Sequence, residues 1–563
     1  MPNYPHINKA LHYAKAVVSD EINACEYVKQ ACQRQLSDLE RKDWNYTFDK
    51  KKAETICEFI ETQPHIKGIW AKKKQKLVLS DWQIFILTTV FGWVNEDGDR
   101  RFKTVYIEVP RKNGKTTFSA PVGLFMLTED GEQGAEVYSA ATTRDQAKIV
   151  FTDAKNMAEK NPKFRKHYGV HVLAHNINMI STASKFEPLS AEGNSLDGLN
   201  IHCAIIDELH AHKTRTVFDV METSTGSRSQ PLIWIITTAG SNRAGICYEQ
   251  RSYVIKLLDK SEIDETYFGI IYTLDKNDDW EDPASWEKAN PNYGISIYRD
   301  DMERLFKKAL STPSAQNNFL TKRLNVWVNA GAAWMNMSKW ESCSNDRLNI
   351  EDFTSDDLYI GVDLASKVDV ASKVYLFKRD SHYSVFTKHY MPRENVESQA
   401  HAKSAHFSGW AKEGWITLTE GSMIDLNQIE DELREDMERF NNIRAIGYDP
   451  WQATQMAGNL LEEGAPMIEV RPNVPNFSDP MKMIEANVIA NNLQHCNDPV
   501  LNWMMSNVVC HMDNKDNIYP RKEVVENKID GVVALITAMN RALADDGESG
   551  RSQYEDGGGL QFV

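Results

Sequence analysis

The stretch RKNGKTT at residues 111–117 follows directly on an apolar run at 104–109, and this junction constrains the fold more than any other part of the chain. A strand that empties into a Gly-Lys-Thr turn opening a helix aims backbone N–H groups, a lysine and a hydroxyl at a nucleotide's phosphates and Mg²⁺. The strict phosphate-loop pattern places a glycine five positions before the Gly-Lys pair. Here that position is Val109, followed by Pro110, Arg111, Lys112 and Asn113. By spacing alone the loop is degenerate, and an ordinary strand-to-helix turn would read the same way.

The segments downstream of the loop supply its context. Residues 201–206 (IHCAII) form an apolar run without alternation, as in a strand buried on both faces of a parallel sheet, and end in Asp207 and Glu208. Acids at the carboxyl end of such a strand face the crevice where open α/β sheets bind ligands. There Asp207 can support Mg²⁺, and Glu208 can orient and deprotonate the attacking water. Strands are predicted at 104–109, 135–139, 201–206 and 232–237, with helices at 115–127, 144–161 and 215–223 between them. This alternation predicts a mainly parallel sheet covered on both faces. The last strand (LIWIIT) runs into Thr238, Ala239 and Gly240, a place to sense the γ-phosphate, although a plain glycine turn is the ordinary reading.

At 563 residues the chain exceeds one typical core, so two large domains are expected. No apolar stretch approaches a membrane span, and the N-terminus lacks the pattern of a signal or transit peptide. The eight cysteines are dispersed, with no CxxC pair, and read as reduced thiols of a cytosolic protein. A net charge of −16 argues against a uniform coat of nucleic acid, yet permits a local basic track such as Lys72, Lys73, Lys74 and Lys76. Such runs are ordinarily solvated faces.

After residue 328 the pattern changes. An Ala/Gly-rich stretch reads as a linker, and 358–364, 373–378 and 383–389 then read as an antiparallel meander. Helix, strand, helix and short strand follow at 427–440, 443–448, 451–463 and 467–470, with helices to about 543. This predicts a mixed sheet of the ribonuclease H type. Asp363 lies in an otherwise apolar strand, Asp449 closes another, and Asp530 opens a helix. A carboxylate in an apolar strand is costly unless paired or holding a metal. Three meeting at one point could hold two Mg²⁺ or Mn²⁺ ions for phosphodiester cleavage, with Asp369 as an outer ligand. Taken singly, Asp449 before Pro450 is a common turn and Asp530 a common helix cap.

The ordered set DWQ at 81–83, RKNGKTT at 111–117, SAATTRDQAKIVF at 139–151, LSAEGNSLDGL at 189–199, AIIDE at 204–208, TTAG at 237–240, GVDLAS at 361–366, YDPW at 448–451 and KIDGVVA at 528–534 resembles the large terminase subunits of tailed double-stranded DNA phages. The resemblance runs from about residue 50 to 545. It implies a motor in which an N-terminal P-loop ATPase drives double-stranded DNA into a procapsid and a C-terminal nuclease cuts the concatemer. It further implies a ring, expected as a pentamer, at the portal protein, a small terminase subunit as partner, and residence in the host cytoplasm with transient docking at the portal vertex. Carried over, Arg111, Lys112, Asn113, Gly114, Lys115, Thr116 and Thr117 cradle ATP, with Lys115 on the phosphates and Thr116 on Mg²⁺. Asp207 supports the metal, Glu208 activates water and Gln83 reads adenine. Thr237 and Thr238 match the coupling segment, and Asp363, Asp449 and Asp530, with Asp369, match the nuclease ligands.

The expected division is a helical region at 1–50, ATPase at 51–328, linker at 329–350, nuclease at 351–545 and an acidic Gly-rich tail at 546–563. One departure concerns the arginine finger, which in some family members lies just before the acid-bearing strand. Here GNSLDGLN has none, leaving Arg144 and Arg228 as candidates. Two other classes compete: a helicase or repair translocase fused to a nuclease, and a structural phage protein with a dead nucleotide site. The first should carry a second RecA-like domain with a late arginine motif, which is not visible. The second is opposed by the intact Lys115, Thr116 and Glu208.

Overall fold

The computed structural model describes residues 4–42, 44–141, 144–190, 198–212, 214–329, 333–364, 370–397, 405–512, 516–523 and 527–549. They divide into two units, Met1–Ala309 with Asn318–Val328, and Leu310–Asn317 with Asn329–Val563.

In the first unit a short ribbon, β1 (Thr47–Phe48) with β2 (Trp93–Val94), precedes an eight-stranded sheet. Its strands are β3 (Thr104–Glu108), β4 (Glu136–Ala141), β5 (Val170–Val172), β6 (Ile177–Met179), β7 (Ser184–Ser190), β8 (Ile201–Asp207), β9 (Leu232–Thr237) and β10 (Tyr267–Ile271), in the order β10-β3-β9-β8-β4-β7-β6-β5. The six strands from β10 to β7 are parallel, and β5 and β6 add an antiparallel edge. Every residue of β8 and β9 is buried, which explains their lack of alternation. The strand β9 lies between the one that feeds the phosphate loop and the one that ends in Asp207. Helix Lys115–Thr128 starts where Gly114 takes φ +82°, a left-handed conformation that suits glycine.

The N-terminal helices Pro5–Val18 and Glu26–Glu40 share the core of this sheet through Ala14, Val17, Val28 and Cys32. Cys25 donates its thiol to the Ile271 carbonyl at 3.1 Å, and Arg34 donates to the Tyr267 carbonyl at 2.8 Å. The eight cysteines are free thiols.

The second unit holds a seven-stranded sheet in the order β14-β13-β12-β11-β15-β16, with β17 also pairing β13. These are β11 (Asp357–Asp363), β12 (Ala371–Arg379), β13 (His382–Pro392), β14 (Ile416–Thr419), β15 (Ile443–Tyr448), β16 (Met467–Glu469) and β17 (Leu493–His495). The meander β11-β12-β13 is antiparallel, and β15 runs parallel to β11. Alternation along β11 sends Leu358, Ile360 and Val362 into one core and Tyr359 into the other. The Tyr359 side is covered by helix Asp530–Ser549. A Cβ on Gly361 would collide with the Ala534 carbonyl, so helix and strand meet backbone to backbone.

Several features have no counterpart in the reading of the sequence. Between 493 and 522, where the sequence predicts only helices, lie β17 and a hairpin of β18 (Val508–Met512) and β19 (Ile518–Lys522). The alternation of small polar and apolar residues there is too short to separate strand from helix. The segment 329–350, read from composition as a connection, contributes Trp334, Met335, Trp340 and Cys343 to the second unit's core. The tail from 550 onward, Asp369, and residues 193–197 of GNSLDGLN lie outside the described residues. Among the described residues no helix is long and apolar enough to cross a membrane.

Candidate functional site

At the carboxyl edge of the first sheet, Lys115 opens its helix with only 8% of its surface exposed. Its Nζ reaches the Val109 carbonyl at 3.4 Å and Glu208 Oε1 at 3.6 Å. Thr116 and Thr117 follow in the first turn, and Arg111 and Lys112 are exposed on the loop. Lys112 adopts φ +75° and Glu208 φ +52°, left-handed conformations costly for side-chain-bearing residues. That the expected catalytic acid is strained marks the turn as one held by its surroundings.

The two acids are tuned in opposite directions. Burial, reinforced by the charge of Glu208, pushes the Asp207 carboxyl up to about 7, and among the described residues its buried Oδ1 has no hydrogen-bond partner. An orphaned buried carboxylate oxygen at this position suits a hydrated cation. Burial opposes ionisation of Glu208 too, but the hydrogen bond from His210 and the charge of Lys115 outweigh it and hold this carboxyl down to about 2. Held down in this way, the Glu208 carboxyl favours its charged form at neutral pH.

His210 organises this corner. Its Nε2 lies 3.2 Å from the Lys322 ammonium, which can only donate. The ring proton therefore sits on Nδ1, which lies 3.1 Å from Glu208 Oε2 and 3.2 Å from Thr237 Oγ1. Thr238 donates to the same Glu208 oxygen at 3.5 Å. Thr238 is thus joined to Glu208 directly and Thr237 through His210. Lys322 also holds the loop, its carbonyl accepting from Arg111 N at 2.9 Å.

On the other side Asn113 is fully buried, its amide donating to Pro110 O and to Asn290 Oδ1 at 3.1 Å. Asn292 donates to the Asn113 carbonyl at 3.0 Å while accepting from Ser80 Oγ and Trp82 Nε1. Gln83 caps its own helix by accepting from Ser80 N at 3.0 Å and lines a cavity of about 790 Å³ with Gly114, Thr117, Phe118, Leu77 and Asn292. This volume, largely apolar and ending at the loop, has room for a nucleoside. Lys76 lines it as well, so one residue of the lysine cluster belongs to the pocket. The sequence gives no sign of Asn290, Asn292, His210 or Lys322 as site residues, because NPN reads as turn chemistry and the other two carry no motif.

Of the arginine-finger candidates, the side chain of Arg144 lies outside the described residues. Arg228 is bound to Glu132 Oε1 at 2.7 Å and to the carbonyls of Gln133, Gly134 and Asn200. Those partners precede β4 and β8, at the end of the sheet away from the loop. Arg228 serves as a structural clasp here.

In the second unit, the register Val362↔Tyr448 sets the next residues, Asp363 and Asp449, side by side at parallel strand ends. Tyr359 Oη donates to Asp545 at 2.6 Å, and Gly361 sits under Ala534, so the overlying helix runs antiparallel to β11. Asp530, one turn before Ala534, is thereby carried toward Asp363. Asp449 Oδ1 accepts from Trp451 N at 3.1 Å and caps its helix. Among the described residues no three acidic, histidine or cysteine side chains form a group that could hold a metal ion. The paired strands bring Asp363 and Asp449 to one edge, Asp449 using an oxygen as a cap, while Asp530 stands at the start of the covering helix. Three oxygen donors are the set that Mg²⁺ or Mn²⁺ favours. Ser372, opposite Asp363 on β12, bonds His389 Nδ1 at 2.8 Å, and His389 Nε2 lies 3.4 Å from Asp498, all buried. This chain passes beneath Gly531, beside Asp530.

The fold and these two edges define a P-loop ATPase unit joined to a ribonuclease H-like nuclease unit. The sequence matches the family descriptions "Terminase large subunit, ATPase domain" over residues 81–256 and "Terminase large subunit, endonuclease domain" over 261–546. The chain belongs to the large terminase subunit family, the ATP-hydrolysing, DNA-packaging motors that carry an endonuclease. Protein YmfN of Escherichia coli (strain K12) is 36% identical over 378 residues, covering 65% of this chain and 83% of the relative. The terminase large subunit of Enterobacteria phage HK97 is 26% identical over 452 residues, covering 79% and 87%. The crystal structure of the HK97 bacteriophage large terminase, 25% identical, covers 87% of this chain and 99% of that one with a TM-score of 0.43.

Proposed function

We propose that the packaging motor runs on ATP held by residues 111–117, with its adenine in the cavity beside Gln83. Lys115 neutralises the phosphates, Thr116 and Asp207 hold Mg²⁺, and Glu208 takes the proton of the attacking water. The observation that carries this reading is the convergence of Lys115, Glu208 and His210 on one strand edge. His210 keeps the Glu208 carboxylate oriented, and Thr237 and Thr238 pass the loss of the γ-phosphate into β9. Bound Mg²⁺ would offset charge on the phosphate oxygens, favouring attack of water on the γ-phosphorus and departure of ADP.

For cutting, Asp363, Asp449 and Asp530 would hold one or two Mg²⁺ or Mn²⁺ ions, which supply an activated water and stabilise the leaving oxygen. Asp369 completes the set as an outer ligand. The protein's part is to place three carboxylates on two strand ends and a helix start. The working assembly is a ring, of five copies in this reading, seated on the portal protein in the host cytoplasm and supplied with DNA by a small terminase subunit. Residues 1–50 and 51–328 serve the motor and 351–545 the nuclease, whose core takes in Trp334, Met335, Trp340 and Cys343 of 329–350. The arginine finger comes from a neighbouring copy, and Arg144 is the remaining candidate of the two.

An ATPase assay and a Mn²⁺-dependent plasmid digestion on one preparation of the purified chain test this assignment. Both activities are expected; absence of either one removes the corresponding site.

A further inference from the structure

Trp451 is the most exposed tryptophan described, with 77% of its surface open to solvent. A large aromatic left in water forgoes the burial that normally stabilises it, and such side chains mark contact sites when charge surrounds them. Its place is specific. Trp451 stands in the first turn of helix Pro450–Glu462, whose cap is Asp449, and its own N–H is bound to the Asp449 carboxylate at 3.1 Å. The backbone of Trp451 is therefore held two residues from the strand edge that also carries Asp363, with its indole open to solvent.

Positive charge borders the same edge. The pairing Tyr448↔Glu469 and the bond from Val470 N to the Tyr448 carbonyl at 2.8 Å set Val470 level with Asp449 and the exposed Arg471 one residue beyond, with Glu469 3.8 Å from its guanidinium. From the hairpin, Tyr519 donates to the Pro472 carbonyl at 3.0 Å, fixing β19 beside Arg471. Arg521 and Lys522 follow on that strand and are exposed. Burial raises the Tyr519 hydroxyl, and the charges of Asp449 and Asp363 add to this while Arg521 opposes it, so the hairpin lies within electrostatic reach of both acids.

We propose that Trp451 is a DNA-contacting residue, stacking its indole on a base unstacked next to the scissile phosphate while Arg471 and Arg521 hold the flanking backbone. The inference rests on the assignment of Asp363 and Asp449 to the cutting edge. An aromatic face accepts any base, whereas guanidinium groups pair with phosphate, so the surface combines sequence-tolerant stacking with backbone charge.

The test uses the full chain and a short duplex with 2-aminopurine near its centre, in Ca²⁺ to read binding and in Mn²⁺ to read cutting. Trp451→Ala should weaken binding and raise KM by on the order of ten-fold, the scale of one lost base–aromatic stack. Trp451→Phe should recover most of this, and wild-type chain should change the 2-aminopurine emission where Trp451→Ala does not. Arg521→Ala should reduce the dependence of binding on salt, and Trp451→Ala should leave that slope unaltered. ATP turnover and thermal melting report folding; should Trp451→Ala melt early, Trp451→Gln replaces it. Wild-type affinity, KM and emission in the non-stacking variant overturn the proposal. Asp363→Ala separates the two claims: it should bind DNA normally and not cut, and cutting by that variant would refute the metal site whatever Trp451 does.

Discussion

Lys115 Nζ and Glu208 Oε1 stand 3.6 Å apart, so the lysine of the phosphate loop and the carboxylate assigned as base are held in one partly buried ion pair. Incoming phosphates compete for Lys115, and Glu208 then keeps His210 and Thr238 as its partners. Glu208→Gln should bind ATP with near-normal affinity and lose turnover by about 10²–10⁴-fold, the usual worth of a general base. Equilibrium binding of a fluorescent ATP analogue, paired with phosphate release, checks it; full turnover would remove Glu208 from the role.

Asp207 gives a pH signature of folding. Its carboxyl ionises near 7 in the folded chain against 3.8 ordinarily, so between those values the folded state binds the extra proton. Stability from this group is fully present below about pH 4 and is lost as pH rises through 7. Asp207→Asn should therefore be the more stable chain at pH 8, by a few kcal/mol, since each tenfold change in proton affinity is worth about 1.4 kcal/mol. The advantage should vanish near pH 4. Urea melts at both values measure it.

Asn292 joins three elements, and its loss leaves the buried Trp82 N–H without an acceptor. Asn292→Ala should cost about 1–3 kcal/mol and raise the KM for ATP more than it lowers kcat, because the loop is loosened while Glu208 is untouched. A KM unchanged alongside normal stability would show that the loop holds its shape unaided.

Asp363→Ala should abolish Mn²⁺-dependent nicking of plasmid while ATP hydrolysis continues. Gel analysis and phosphate release on the same sample decide the matter, and surviving nicks would displace Asp363 from the metal site.

Gly361→Ala forces a methyl group into the Ala534 carbonyl. The helix must lift from β11, at a cost of roughly 1–3 kcal/mol or more, and Asp530 moves with it. The nuclease unit should melt early and cut poorly; an unchanged melting curve would mean that the helix can shift freely.

Much of the fold is legible in the sequence because burial writes itself into composition. Unbroken apolar runs locate β8 and β9, and the acids that close β8 point to the edge where Lys115 and Glu208 meet. The strands β11, β12 and β15 are legible for the same reason, and with them the adjacency of Asp363 and Asp449. The features that escape a local reading depend on tertiary pairing. Asn290 and Asn292 act through loops some 180 residues from Asn113 in the chain, and His210 gains its meaning from Lys322. The hairpin of β18 and β19 has Pro520 within a strand, which argues against strand in any local reading. Trp451 reads as the tail of a turn motif, because exposure is invisible in a sequence.

Lys322 offers its carbonyl to Arg111 and its ammonium to His210. The lip of the loop at Arg111 and the histidine beside Glu208 therefore share a single anchor. Any displacement of the last turn of helix Pro313–Arg323 reaches both together. Nucleotide grip and readiness to hydrolyse are in this sense geared to one shaft, and a motor so built cannot loosen one without slackening the other.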